Sequence, residues 1–163
     1  MSVVVVMGVS GCGKSTVGAL LAERLGWPFE DADLLHPPAN VAKMRSGVPL
    51  DDADRWPWLE RVAGWISERV AVQGGGVVAC SALKRRYRDV LRSADPDLRL
   101  VFLDGPRDIL IERLEHRDGH FFPMQLLDSQ LADLEQPTLD ERPIVIQIGQ
   151  SPEDAVNAII KAR

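Results

Sequence analysis

The chain has 163 residues, 45% of them hydrophobic and 26% charged, with a formal net charge of −5. That length suits one domain (1–163) with a sizeable core rather than two, and the mild acidity excludes a broad electrostatic surface for nucleic acid, so an anionic ligand needs local basic clusters. Two cysteines, Cys12 and Cys80, form neither a disulfide framework nor a zinc pattern, and no run is long enough for a bilayer, which points to a reducing, cytoplasmic setting away from membranes.

The first predicted element is the apolar run Val3–Met7, a core strand. It is short and has no basic lead-in, so it is read as a strand rather than a signal peptide, with no extension ahead of it. It runs straight into Gly8-Val9-Ser10-Gly11-Cys12-Gly13-Lys14-Ser15-Thr16. Gly8, Gly13, Lys14 and Ser15 have the spacing of a phosphate-binding loop. Its glycines let backbone N–H groups cradle phosphate oxygens, Lys14 reaches the β- and γ-phosphates, and the Ser15 hydroxyl ligates Mg²⁺. A helix follows with Val17, Leu20, Leu21 and Leu25 on one face and Gly26 as its stop.

A short strand is predicted near Pro28 to Asp31. Residues 37–73 read as helical but broken near Gly47-Val48-Pro49 and Trp56-Pro57, with Asp52 or Asp54 as a cap. Val77–Cys80 is the third strand, a basic helix covers about Lys84 to Arg92, and Leu100–Leu103 is the fourth strand. Gly105-Pro106 opens another helix, one more spans about Gln125 to Leu134, and Ile144–Ile148 is the last strand. Ser151-Pro152-Glu153-Asp154 caps the terminal helix. This alternation predicts an α/β, three-layer P-loop kinase fold: a five-stranded parallel sheet with helices on both faces and a ligand crevice at the carboxyl ends of the strands. Two segments exceed what simple crossovers need. They are assigned a substrate-holding insertion over about 34–73 and a mobile lid over about 113–123.

Chemistry-bearing residues gather at these same places. Asp31 and Asp33 have strand spacing, which places both carboxylates on one face beside the crevice. A kinase of small alcohols needs one carboxylate to orient and deprotonate the hydroxyl and another to hold water on Mg²⁺. His36 follows as a ligand contact or a structural histidine. Arg55 either reaches an anionic substrate or lies on an exposed face. Lys84, Arg85, Arg86 and Arg88 place four cations within five residues, and at least one of Lys84 and Arg88 is expected to bind a substrate anion. The acidic residue that motor ATPases carry near Cys80 is missing, which argues against a mechanical ATPase. Arg113 and Arg117 share a helix face and lead into Asp118-Gly119-His120, so one of them is expected to meet the phosphates, a contact worth roughly 10³–10⁵ in rate.

Together, Met7-Gly8-Val9-Ser10-Gly11-Cys12-Gly13-Lys14-Ser15, Asp31-Ala32-Asp33-Leu34-Leu35-His36-Pro37, Lys43-Met44-x-Ser46-Gly47-x-Pro49-Leu50, Asp54-Arg55-x-Pro57-Trp58-Leu59, Cys80-Ser81-Ala82-Leu83-Lys84-x-x-Tyr87-Arg88 and Gly119-His120-Phe121-Phe122 resemble the small P-loop gluconate kinases, relatives in fold of shikimate and adenylate kinases. The blocks run in order over most of the chain. The resemblance implies ATP- and Mg²⁺-dependent phosphorylation of D-gluconate at O6, and a homodimer. It also implies Lys14, Asp33 and Arg117 as catalytic residues. Residues 8–16 with Arg113 and Arg117 would hold the nucleotide, Asp33, His36, Arg55, Lys84, Arg88 and His120 the substrate, and Ser15 and Asp31 the metal. Giving the base role to Asp33 rather than Asp31 rests partly on likeness to shikimate-type kinases. Two features depart from the family pattern, Cys12 in place of a common Ser and Ala32 in place of a common Gly. A shikimate kinase is the near rival, and the Cys-Ser-Ala-Leu-Lys and His-Phe-Phe blocks argue against it. A GTP switch is the distant one, but neither Asn40 nor Asn157 begins an Asn-Lys-x-Asp motif.

Overall fold

Val3–Met7 contains no polar side chain, as a strand covered on both faces requires. The computed structural model describes residues 2–115 and 124–163, and in it this run is β1, the central strand of a parallel sheet. Its partners are β2 (Phe29–Asp31), β3 (Gly76–Ala79), β4 (Arg99–Asp104) and β5 (Ile144–Gln147), in the order β2-β3-β1-β4-β5. Val5 sits level with Val78 on one side and Leu100 on the other. Alternation along β1 splits the core in two. Val4 and Val6 pack with Val17 and Leu21 of α1 (Lys14–Leu25), Leu110 of α5 (Arg107–Glu115) and Val156 of α7 (Pro152–Ala162). Val3, Val5 and Met7 pack with Trp58 and Ile66 of α3 (Asp52–Ala71) and Tyr87 of α4 (Arg85–Ala94). The remaining helices are α2 (Pro38–Arg45) and α6 (Met124–Asp133). The predicted α/β, three-layer architecture is the one observed.

Several local expectations are corrected. The Trp56-Pro57 break does not occur, because α3 runs through Pro57 without interruption. Pro57 has no N–H to donate, a defect of about 3 kcal/mol inside a helix. Trp58, Leu59, Val62 and Ile66 are buried just beyond it, each worth roughly 1.5–3 kcal/mol, so tertiary burial outweighs the defect. The cap of α3 is Asp51, not Asp52 or Asp54. Its carboxylate accepts from the Asp54 N–H while the Asp54 carboxylate accepts from the Asp51 N–H, a reciprocal pair that satisfies two otherwise orphaned donors. β2 stops at Asp31, and Ala32–Leu35 forms a 3₁₀ turn. The two aspartates are therefore not strand neighbours, and the same-face spacing argument fails. The Asp31 carboxylate instead caps the turn by accepting the Asp33 N–H at 3.0 Å. Among the described residues no helix is long and apolar enough to cross a membrane.

Candidate active site

The carboxyl ends of β1, β2 and β3 open onto two connected depressions, and a third adjoins them beside β5. The first, a trench, is lined by Ser10, Gly11, Gly13, Lys14, Ser15, Thr16, Asp33, Arg113 and Leu114. Its floor is the glycine loop. Gly13 occupies the left-handed region (φ 93°) at the start of α1 and offers no side-chain cap, so the first N–H groups of the helix remain open to an anion. Gly8 (φ 152°) could carry no side chain, since a Cβ there would lie 2.6 Å from Cys12 Sγ. Gly8 and Val9 do not line the trench. Gly8 permits the turn, and the Val9 carbonyl accepts from Lys14 Nζ at 3.4 Å. Cys12 is buried, which pushes its thiol pKa up despite nearby Lys14, so it presents backbone rather than a reactive sulfur. The Ser15 hydroxyl donates to Asp31 Oδ2 at 2.8 Å. These two oxygens form a hard donor pair suited to Mg²⁺, which keeps several waters and takes only one or two protein carboxylates. Arg113, from the last turn of α5, reaches the Cys12 carbonyl at 3.2 Å.

The second depression is an inner cavity lined by Ser10, Lys14, Asp33, His36, Met44, Pro49, Leu50, Arg55, Trp58, Ser81, Leu83, Leu126, Ser129 and Gln130. It shares Ser10, Lys14 and Asp33 with the trench, so a carboxylate and an ammonium stand at the junction. The Asp33 carboxylate has no hydrogen-bond partner among the described residues and is exposed. Arg55, 7% exposed, is held by its Nη1 alone, which donates to Tyr87 Oη at 2.8 Å and Asp133 Oδ2 at 3.1 Å. Nε and Nη2 carry the other three of its five N–H donors, and they have no protein partner among the described residues. A fork of this kind matches a carboxylate. Arg55 therefore lines the cavity with free donors and does not lie on an exposed face, the alternative expected of it.

The third depression is a cleft beside the loop after β5. It is lined by Cys12, Gly13, Thr16, Val17, Leu103, Arg113, Ile146, Gln147, Ile148, Gln150, Pro152 and Ala155. It shares Gly13, Thr16 and Arg113 with the trench, and its mostly apolar walls suit a flat heterocycle.

The basic run after β3 behaves differently from expectation. Lys84 does not line the inner cavity. It approaches Asp133, the partner of Arg55, at 4.0 Å and Asp52 at 3.6 Å. Arg88 is no anchor at all. It is 2% exposed. Its Nε donates to Glu141 at 2.7 Å, Nη1 to the Ala82 and Leu83 carbonyls, and Nη2 to the Glu135 carbonyl and Glu141. Every part of the guanidinium is engaged by protein, tying α4 to the turn before β5. Removing one partner of a buried pair leaves an uncompensated charge, at a cost of about 3–5 kcal/mol. Arg88→Met is accordingly expected to lower urea-unfolding stability by about that much, with the acceptor KM of the remaining folded protein unchanged; a raised acceptor KM at full stability would restore Arg88 to the site. Arg117 and His120 lie outside the described residues, as does most of the 113–123 segment.

Sequence reasoning passed over four residues at this site. Gln130 of α6 lines the inner cavity and accepts the Ser10 N–H of the phosphate loop at 2.8 Å. Ser81 and Ser129 add hydroxyls to the wall. Asn40, 3% exposed, hydrogen-bonds His36 and the Asp54 carbonyl. Ser81 sits inside the Cys80-Ser81-Ala82-Leu83-Lys84 block, which drew attention to its cations instead, and no motif surrounds the other three.

Residues 10–162 match the family model described as Shikimate kinase. A gluconokinase of Gluconobacter oxydans is 51% identical over 152 residues, 93% of this chain and 85% of that protein. The chain belongs to the gluconokinase family. A solved gluconokinase from Sinorhizobium meliloti superposes with a TM-score of 0.91 at 46% identity, over 99% of this chain and 90% of that one. The shikimate kinase of Aquifex aeolicus matches with a TM-score of 0.62 at 20% identity, over 98% of this chain and 94% of that one, a likeness of fold. The shikimate kinase name thus describes the scaffold, and the gluconokinase relatives share both scaffold and sequence. The chain is a kinase.

Proposed function

We propose that the chain transfers the γ-phosphoryl group of ATP to O6 of D-gluconate, giving 6-phospho-D-gluconate and ADP. The single observation that carries this is the inner cavity. It holds the Arg55 fork in the same enclosure as Asp33 and Lys14, which it shares with the phosphate trench. That is the layout for an acceptor with a carboxylate at one end and a reacting hydroxyl at the other. The names of the gluconokinase relatives support gluconate as that acceptor.

In this reading the cleft beside β5 takes the adenine, the α1 N-terminus and the glycine loop hold the phosphates, and Ser15 with Asp31 hold Mg²⁺. The metal, when bound, neutralises charge on the phosphate oxygens. Arg55 receives the gluconate carboxylate through Nε and Nη2, and His36 and the serines meet the chain of hydroxyls. Asp33 accepts the O6 proton as O6 bonds to phosphorus and the bond to the ADP oxygen breaks. Lys14 stabilises the charge that develops on the transferred group. Arg113 meets the phosphates from α5. Homodimerisation and a cytoplasmic setting belong to the same reading.

The test is kcat/KM by coupled ADP detection across D-gluconate, its epimers, glucose and shikimate. Gluconate is expected to lead, since a pocket built on hydroxyl hydrogen bonds leaves its own groups unpaired with a poorer match; a preference for shikimate or glucose overturns the assignment. Arg55→Met is expected to raise the gluconate KM roughly 10–100-fold, the worth of a charge-assisted hydrogen bond, with little change in the KM for ATP. Arg55→Lys keeps the charge but loses the fork, so it should recover only part of the affinity.

A further inference from the structure

Asn40 is buried one helical turn from His36, and its amide nitrogen makes two contacts. Nδ2 donates to the Asp54 carbonyl oxygen at 2.8 Å and approaches His36 Nδ1 at 3.1 Å. A peptide carbonyl can only accept, so the Asp54 contact fixes which end of the Asn40 amide is the NH₂. Its second hydrogen then points at Nδ1, which must offer a lone pair. The proton of a neutral His36 is therefore on Nε2. Stacking on Trp58, with centroids 4.2 Å apart and planes 15° from parallel, fixes the plane of the ring, and a half-turn that keeps that plane would set a C–H against the Asn40 amide and forfeit the 3.1 Å contact. The Asp54 carbonyl is held too, since that residue belongs to the reciprocal cap of α3 and pairs with Lys43 at 2.7 Å.

Nε2 has no hydrogen-bond partner among the described residues, and no fully buried side-chain nitrogen or oxygen among them lacks one. Nε2 is thus the polar atom that the ring turns toward the cavity it lines. The charged groups around that cavity are Asp33, Arg55 and Lys14. Burial lowers the His36 pKa from its ordinary value, Asp33 opposes this, and Arg55 adds to it.

We propose that Asn40 is a positioning residue that holds His36 as its Nε2–H tautomer, a fixed neutral donor to an acceptor hydroxyl next to Asp33, by denying Nδ1 a proton. This rests on the cavity being the acceptor site. The arrangement gives the cavity a direction. A hydroxyl between His36 and Asp33 accepts from Nε2–H and donates to the carboxylate, whereas an imidazolium there would pair with Asp33 and weaken it as a base. Neutrality of His36 therefore protects the basicity of Asp33.

The experiment is a long-range ¹H–¹⁵N correlation spectrum of the ¹⁵N-labelled full chain near pH 7.5, with the His36 signals identified by their loss in His36→Gln. A protonated Nε2 and a bare Nδ1 are expected. A protonated Nδ1 overturns the proposal, and needs no variant to do so. The functional half is read in Asn40→Asp, whose carboxylate invites a proton onto Nδ1 and stabilises the imidazolium. The acid limb of kcat/KM for gluconate is expected to move up by at least about one pH unit, a tenfold loss on that limb, with the KM for ATP unchanged. An unmoved acid limb in folded Asn40→Asp overturns the role in the reaction. If gluconate is not turned over at all, the acceptor assignment fails while the spectrum still decides the tautomer.

Discussion

Replacing Lys14 by Ala is expected to lower kcat by at least about 10³-fold and to leave the fold intact. Lys14 lines both the trench and the inner cavity, so its ammonium lies where negative charge passes from one site to the other. A charge preplaced at that point acts on the transition state in a partly desolvated site, where it is worth far more than in water. Its contribution to the resting structure is small. Lys14 is half-buried, and the one hydrogen bond of its Nζ among the described residues, to the Val9 carbonyl, is long at 3.4 Å. Thermal unfolding of Lys14→Ala should therefore match the parent within a few degrees. Near-normal turnover by that folded variant would sink the assignment of the loop.

Asp33→Asn is expected to reduce kcat by roughly 10²–10⁴-fold, the usual worth of a general base, while nucleotide affinity changes little. The substitution keeps the shape, and the cap of the 3₁₀ turn uses the Asp33 backbone rather than its side chain. Asp31→Asn should differ in kind. It keeps an oxygen for the Asp33 N–H but weakens the Ser15–Asp31 pair as a cation site, so the requirement for Mg²⁺ should rise. If Asp31→Asn shows the greater loss in kcat at saturating Mg²⁺, the two carboxylates exchange roles.

The parts of this protein legible in its sequence are those whose chemistry is local. The phosphate loop needs glycines, a lysine and a serine at set spacing between a strand and a helix, and all are neighbours in the chain. The sheet was legible for a similar reason, since runs such as Val3–Met7 admit few other readings. Asp31 and Asp33 were found for the wrong reason. Asp33 lines both depressions and Asp31 accepts from the Ser15 hydroxyl, but a 3₁₀ turn replaces the strand that was to align them, because an aspartate cap competes with strand extension. Arg88 shows the opposite failure. A cation in a basic run reads as available, and what consumes it, Glu141 and three backbone carbonyls, is brought in by the fold from 47 and 53 residues away and from its own helix entry. Asn40 and Gln130 have no local signature, since each matters only through a partner placed by tertiary packing.

The setting of Arg55 has a consequence for how tightly the acceptor binds. A free arginine carries about 2 kcal/mol of rotamer entropy, and a ligand that must first immobilise one forfeits part of its affinity. Here Tyr87 and Asp133 hold Nη1, and the Tyr87 ring lies 5.3 Å from the guanidinium carbon. The side chain is ordered when the chain folds, long before a ligand arrives. Folding thus absorbs the entropic loss that binding would otherwise bear, and the three remaining donors are already arranged for the carboxylate of the proposed acceptor.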